Sequence, residues 1–137
     1  MTACSVYLNF NGNCREAFDF YVKATGGELT AVSTFGEAPP GMPITEDFKS
    51  KIMHARIKLG DTWLMGSDSP PHMWSKPAGF GVSLQVDTPE DAARIFGNLA
   101  EGGAITMPMA PSFFAKAFGM LHDKFGVMWM VICEMPM

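Results

Sequence analysis

Cysteine is scarce and odd in number. Cys4, Cys14 and Cys133 are the 3 in the chain, at unrelated spacings. Neither a disulfide framework nor a Cys-x-x-Cys motif can be built from them, and reduced thiols in a cytoplasmic protein are expected. Basic residues are few: 10 Lys and Arg face 14 Asp and Glu, for a formal charge of −4. They are scattered and form no stripe, which argues against a nucleic-acid partner. No apolar run approaches the roughly 18 residues of a spanning helix, so no membrane partner is expected. The opening Met1-Thr2-Ala3-Cys4-Ser5 has neither the basic start nor the apolar stretch of a secretory signal. No Gly-x-Gly-x-x-Gly follows a strand, no glycine-rich loop ends in Lys, and no Gly-x-Ser-x-Gly elbow occurs. What the chain does have is core material: 47% of its 137 residues are hydrophobic. A chain of this size buries roughly two-thirds of its unfolded surface and needs no staples.

An internal repeat is the first positive signal. Sliding segment 14–30 onto 90–106, a shift of 76, matches Ala17 with Ala93, Phe20 with Phe96 and Ala24 with Ala100. Gly26-Gly27 then meets Gly102-Gly103, Thr30 meets Thr106, and 6–10 falls on 82–86. Matches in corresponding structural roles indicate two half-domains rather than a solenoid. The first helix is expected to start at Asn13 as N-cap with Glu16 completing a capping box, and to bury Ala17, Phe20, Tyr21 and Ala24. Gly26 or Gly27 stops it. In the second, Thr88 caps, Pro89 opens, Ala92, Ile95, Phe96, Leu99 and Ala100 face inward, and Gly102-Gly103 terminates.

Period-two alternation marks strands over 6–11, 52–59 and 80–87. The Gly60-Asp61 turn predicts a hairpin of 52–59 with 62–68. Further strands are expected near 28–35, 104–109, 115–122 and 127–134. Each half is thus strand, helix, strand, strand, strand. The modules fall at about 1–68 and 79–137, with a proline-bearing linker at about 69–78.

This duplicated βαβββ plan resembles the vicinal oxygen chelate superfamily of glyoxalase I, fosfomycin and bleomycin resistance proteins and extradiol dioxygenases. Within it the chain is most similar to the PhnB-like branch. The resemblance rests on Tyr7 to Asn13, Glu16-Ala17-Phe18 with Phe20-Tyr21, Met53-His54-Ala55, Leu64-Met65 with Ser67-Asp68, Gly81 to Glu90, Phe118-Gly119-Met120, Asp123 to Gly126 and Trp129-Met130-Val131. It covers nearly the whole chain in order. It implies an α+β fold in which two βαβββ modules form an open, curved mixed sheet, glyoxalase-like, with helices on the convex face. It also implies a homodimer, and modules paired within one chain or across two.

In such proteins a divalent metal sits on the concave face, held from the first and last strands of each half. Projected here, those positions fall near Tyr7 or Asn9, Gly81 or Ser83, and Met130, and none is His or Glu. No metal and no other cofactor are therefore expected. The candidate ligand-binding residues are Tyr7, Asn9, His54, Arg56, Ser83, Gln85, Phe118, Met130 and Glu134. Tyr7, Asn9, Ser83 and Gln85 lie opposite the apolar face of their strands, where they satisfy each other, bind water or meet a ligand. Met107, Met109, Met120, Met128 and Met130, with Phe113, Phe114, Phe118 and Trp129, supply either core or a soft pocket wall. His122 suits a turn or surface role, His72 a solvated linker, and Cys14 and Cys133 structural thiols.

The main expectation is a protein that binds a small, partly apolar molecule on the concave face. One alternative is a metal-dependent lyase or oxygenase with displaced ligands such as His54, His122 and Glu134. Another is a non-catalytic structural or regulatory dimer. A ubiquinone-pathway methyltransferase label, sometimes given to this branch, fits poorly, because two such modules leave no room for a doubly wound nucleotide domain.

Overall fold

The computed structural model describes residues 2–135; Met1 of the N-terminal reading, and the module limits 1 and 137, lie outside it. The chain divides into two compact units, Met1–Ser75 and Lys76–Met137. In the first, β1 (Val6–Phe10) leads to α1 (Cys14–Thr25), β2 (Glu28–Thr34), β3 (Ile52–Leu59) and β4 (Thr62–Asp68). In the second, β5 (Val82–Gln85) leads to α2 (Pro89–Ala100), β6 (Ala104–Ala110), β7 (Ala115–His122) and β8 (Met128–Glu134). The sheet orders are β1-β4-β3-β2 and β5-β8-β7-β6, the same topology twice. Each sheet is open and mixed, with one parallel pair, β1 with β4 or β5 with β8. The α+β duplication and the glyoxalase-like architecture are thus present. No helix among the described residues is long and apolar enough to cross a membrane.

Alternation explains the cores. In β4, Leu64, Gly66 and Asp68 are buried while Trp63, Met65 and Ser67 are half-buried on the other face. α1 lies against β2, β3 and β4, and α2 against β6, β7 and β8. A glycine lets each helix come close. A Cβ at Gly66 would stand 2.8 Å from the Phe18 ring, and one at Gly119 would stand 2.6 Å from the Phe96 ring. Both are below any ordinary carbon contact, so these phenylalanines rest directly on backbone.

Four local expectations are corrected. α1 buries Cys14, Ala17, Phe18, Tyr21 and Ala24, with Phe18 in the place expected for Phe20. The matched Ala93 is exposed although Ala17 is buried. The shift of 76 therefore serves strands and turn glycines, but not the helix faces, where each residue of slip turns a side chain by about 100°. Phe80, expected on the inward face of a strand, precedes β5 and is 59% exposed. Asn13 makes no side-chain cap bond. The Cys14 N–H donates instead to Asp68 Oδ1 at 2.9 Å, and the Ile52 N–H donates to Asp68 Oδ2 at 2.8 Å. Thr88 does cap α2, accepting from the Asp91 N–H at 3.1 Å. Gly26 and Gly102, at φ 78° and 76°, close the two helix ends as expected.

Alternation also breaks at defined places. Between Leu29 and Ala31 on β2 the pairing with β3 slips, and between Ile105 and Met107 on β6 the pairing with β7 slips. A second slip, between Ser33 and Thr34, falls opposite Met53 on β3.

Candidate functional site

Register places the candidate residues in rows across each sheet, on the face turned from its helix. Residues opposite one another on adjacent strands share a face. In the first module one row runs Tyr7 (β1), Met65 (β4), Arg56 (β3), Ala31 (β2). Beside it lie Asn9 with Ser67, and His54 with Ser33. In the second module the corresponding row runs Ser83, Met130, Met120, Met107. Beside it lie Gln85, Ile132, Phe118 and Ala110.

The duplication thus carries two chemistries. Arg56 in one module corresponds to Met120 in the other, and His54 corresponds to Phe118. Donors and acceptors collect on the first sheet, and thioethers and a ring on the second.

Tyr7 is 44% exposed, and its ring lies 6.0 Å from that of His54, tilted by 34°. Asn9 is exposed, and its backbone carbonyl accepts from Trp74 Nε1 at 3.3 Å. The Arg56 guanidinium carbon stands 4.4 Å from the centre of the Trp63 ring, a cation–π stack. Arg56 Nε is buried and donates to no acceptor. A buried donor left so costs about 1–3 kcal/mol. Ser83 and Gln85 satisfy each other: Gln85 Nε2 donates to Ser83 Oγ at 2.9 Å. Phe118 is half-buried and meets the Phe114 ring at 5.1 Å. Met130 is half-buried, whereas Glu134 is exposed at the end of β8, opposite Ala115.

Trp63 and Met65 complete the first-module face and were not among the candidates. The two-residue Gly60-Asp61 turn held the signal: closing Leu59 on Thr62 sets Lys58 opposite Trp63 and Arg56 opposite Met65. Asp68 and Asp123, the two buried carboxylates, were missed as well. Asp123 Oδ1 accepts from Phe125 and Val127 N–H at 2.9 and 3.0 Å, and Oδ2 accepts from Trp129 Nε1 at 2.8 Å. With its acceptors engaged, it shapes the β7–β8 turn. Trp129 is fully buried, so it belongs to the core and not to a pocket wall. Burial, with Asp68 nearby, pushes the Cys14 thiol far above its ordinary 9.0, as suits an inert structural cysteine.

The donor set does not suit the divalent ion that the architecture implies. Among the described residues no group of three or more His, Cys, Asp or Glu could hold a metal ion. The mixed set of His54, His122 and Glu134 fails on geometry within one module. His122 pairs with Met128 at one end of β8 and Glu134 lies at the other, about 20 Å apart along a strand.

A family model described as 3-demethylubiquinone-9 3-methyltransferase matches residues 2–132. The chain is 35% identical to protein YjdN of Escherichia coli (strain K12), over 93% of this chain and 92% of that protein. It is similar to the crystal structure of protein PA1353 from Pseudomonas aeruginosa, with TM-score 0.88 and 47% identity over 98% of each chain. The PhnB protein from Bacillus cereus follows with TM-score 0.77 and 29% identity, over 96% of this chain and 99% of that one. The fold is shared with the fosfomycin resistance protein FosX from Listeria monocytogenes, with TM-score 0.68 and 9% identity over 98% and 94% of the two chains.

Proposed function

The chain belongs to the PhnB-like family, whose model bears the description 3-demethylubiquinone-9 3-methyltransferase, within the vicinal oxygen chelate superfamily, and from that premise we propose that it binds a small, partly apolar molecule on the helix-free face of its sheets. The observation that carries this is the row Tyr7, Met65, Arg56, Ala31 with its neighbours Asn9, Ser67, His54 and Ser33. These side chains face away from α1 and add nothing to the core beneath it. A few convergent polar groups beside aromatic and thioether surface are the composition of a small-molecule site. The methionine row of the second module supplies adaptable apolar surface of the same kind.

No metal step enters this reading, because the donor set does not fit a divalent ion. Methyl transfer does not enter it either. Each sheet has one parallel pair, and the link from β1 to α1, Asn11-Gly12-Asn13, has one glycine. The usual nucleotide-binding domain needs a largely parallel sheet and a glycine-rich turn there. Self-association as a homodimer, in the cytoplasm, is part of the proposal: each sheet ends in two edge strands, β1 and β2 in one and β5 and β6 in the other, whose outer backbone groups a second copy could pair.

A thermal-shift screen across metabolites and divalent metals tests it, since a ligand specific for the native state stabilises by mass action. Small organic molecules should raise the melting temperature, with or without chelator. One tightly held divalent ion per native chain, lost in His54→Ala or Glu134→Ala, would favour the metal-dependent alternative. Sedimentation showing only monomer at micromolar concentration would remove the homodimer.

A further inference from the structure

We infer that Arg56 is an anion-recognition residue, and that the molecule bound on the first module's open face carries a single carboxylate. This rests on the binding reading above and narrows it to a ligand class. Arg56 Nε is buried and has no acceptor, although its strand lies among polar neighbours that could have been placed to supply one. The guanidinium carbon is held 4.4 Å from the Trp63 ring centre, and Nε is covered, so a ligand engages it as the side chain swings clear of its neighbours. A guanidinium carries Nε–H and Nη–H side by side, a fork that matches the two oxygens of a carboxylate.

The charge balance points to a monoanion. Along β3 the next cation on this face is Lys58, two residues on, and Lys58 is exposed with Glu28 opposite it on β2. Asp68 is buried on the helix side with both oxygens already accepting from backbone. Arg56 is thus the cation of this face with no carboxylate set against it. Tyr7, Asn9 and Ser67 add neutral hydrogen-bonding groups nearby, and Met65 and Trp63 add apolar surface for the rest of the molecule.

The duplication provides the control. Its other copy carries Met120 at the position of Arg56, and Arg56→Met removes the charge while keeping a long unbranched side chain in the site. Isothermal titration calorimetry of the full chain with 2-naphthoate and with neutral, near-isosteric 2-naphthamide reads the effect. The carboxylate should bind about tenfold or more tightly than the amide, and Arg56→Met should erase that preference while Arg56→Lys keeps part of it. Equal binding of the two, or a preference that survives in Arg56→Met, overturns the assignment of Arg56 and leaves small-molecule binding standing. No heat from either compound at millimolar concentration overturns both.

Discussion

The carboxylate of Asp68 accepts the Cys14 backbone N–H at 2.9 Å, joining the end of β4 to the start of α1 across 54 positions of sequence. Its other oxygen takes the Ile52 N–H at the start of β3. One buried side chain therefore closes three elements of the first module. Asp68→Ala should cost about 2–4 kcal/mol, because two buried donors lose their acceptor. Asp68→Asn, which keeps one oxygen, should cost less. Urea denaturation of both variants gives the comparison, and equal, small losses would show that water replaces the carboxylate.

The two helix starts should respond differently to the same kind of substitution. Thr88 accepts the Asp91 N–H, so Thr88→Ala should cost about 1 kcal/mol. Asn13 makes no such bond, so Asn13→Ala should change stability by less than about 0.5 kcal/mol. A larger loss at Asn13 than at Thr88 would contradict the cap assignment.

Gly66 is where α1 rests on its sheet. Gly66→Ala should destabilise by about 1–3 kcal/mol, since the methyl meets the Phe18 ring at 2.8 Å and the Leu8 carbonyl oxygen at 2.9 Å. Phe18→Leu in the same chain should recover part of the loss. A double-mutant cycle with no coupling between the two positions would refute direct contact.

Cys14 makes stability fall at alkaline pH. Burial first, and Asp68 second, raise its thiol above the ordinary 9.0. Below that value the thiol is protonated in both states and the contribution is intact. Above it the unfolded chain ionises while the folded chain holds its proton, so the unfolded state gains and stability drops as pH rises. Denaturation at pH 8 and at about pH 10 should show a drop that shrinks in Cys14→Ala. At neutral pH a thiol reagent should label exposed Cys4 and reach Cys14 and Cys133 only after unfolding.

The hairpin of β3 and β4 was legible to the residue, because Gly60-Asp61 allows one tight turn and the flanking alternation admits one phase. The polar character of His54 and Arg56 followed from that alternation. Helix faces were less legible: Phe18 and Phe20 are both apolar, and only the approach to Gly66 decides which one is buried. Asp68 escaped notice because the period that places it inward gives no hint of its distant partners at Cys14 and Ile52. The unpaired Nε of Arg56 depends on how Trp63 lies over the guanidinium, which no spacing encodes.

Thr30 and Thr106, identical and 76 positions apart, are the residues stepped over where strand pairing slips in the two modules. Both copies thus preserve one extra residue. Deleting Thr30 would remove the first slip between β2 and β3 and leave the second, opposite Met53. Leu29 would then precede Ala31 in plain alternation, Leu29 opposite Ile57 on the core side and Ala31 opposite Arg56 on the other face. The extra threonine therefore bends and twists each sheet margin, while the residues lining either face keep their places.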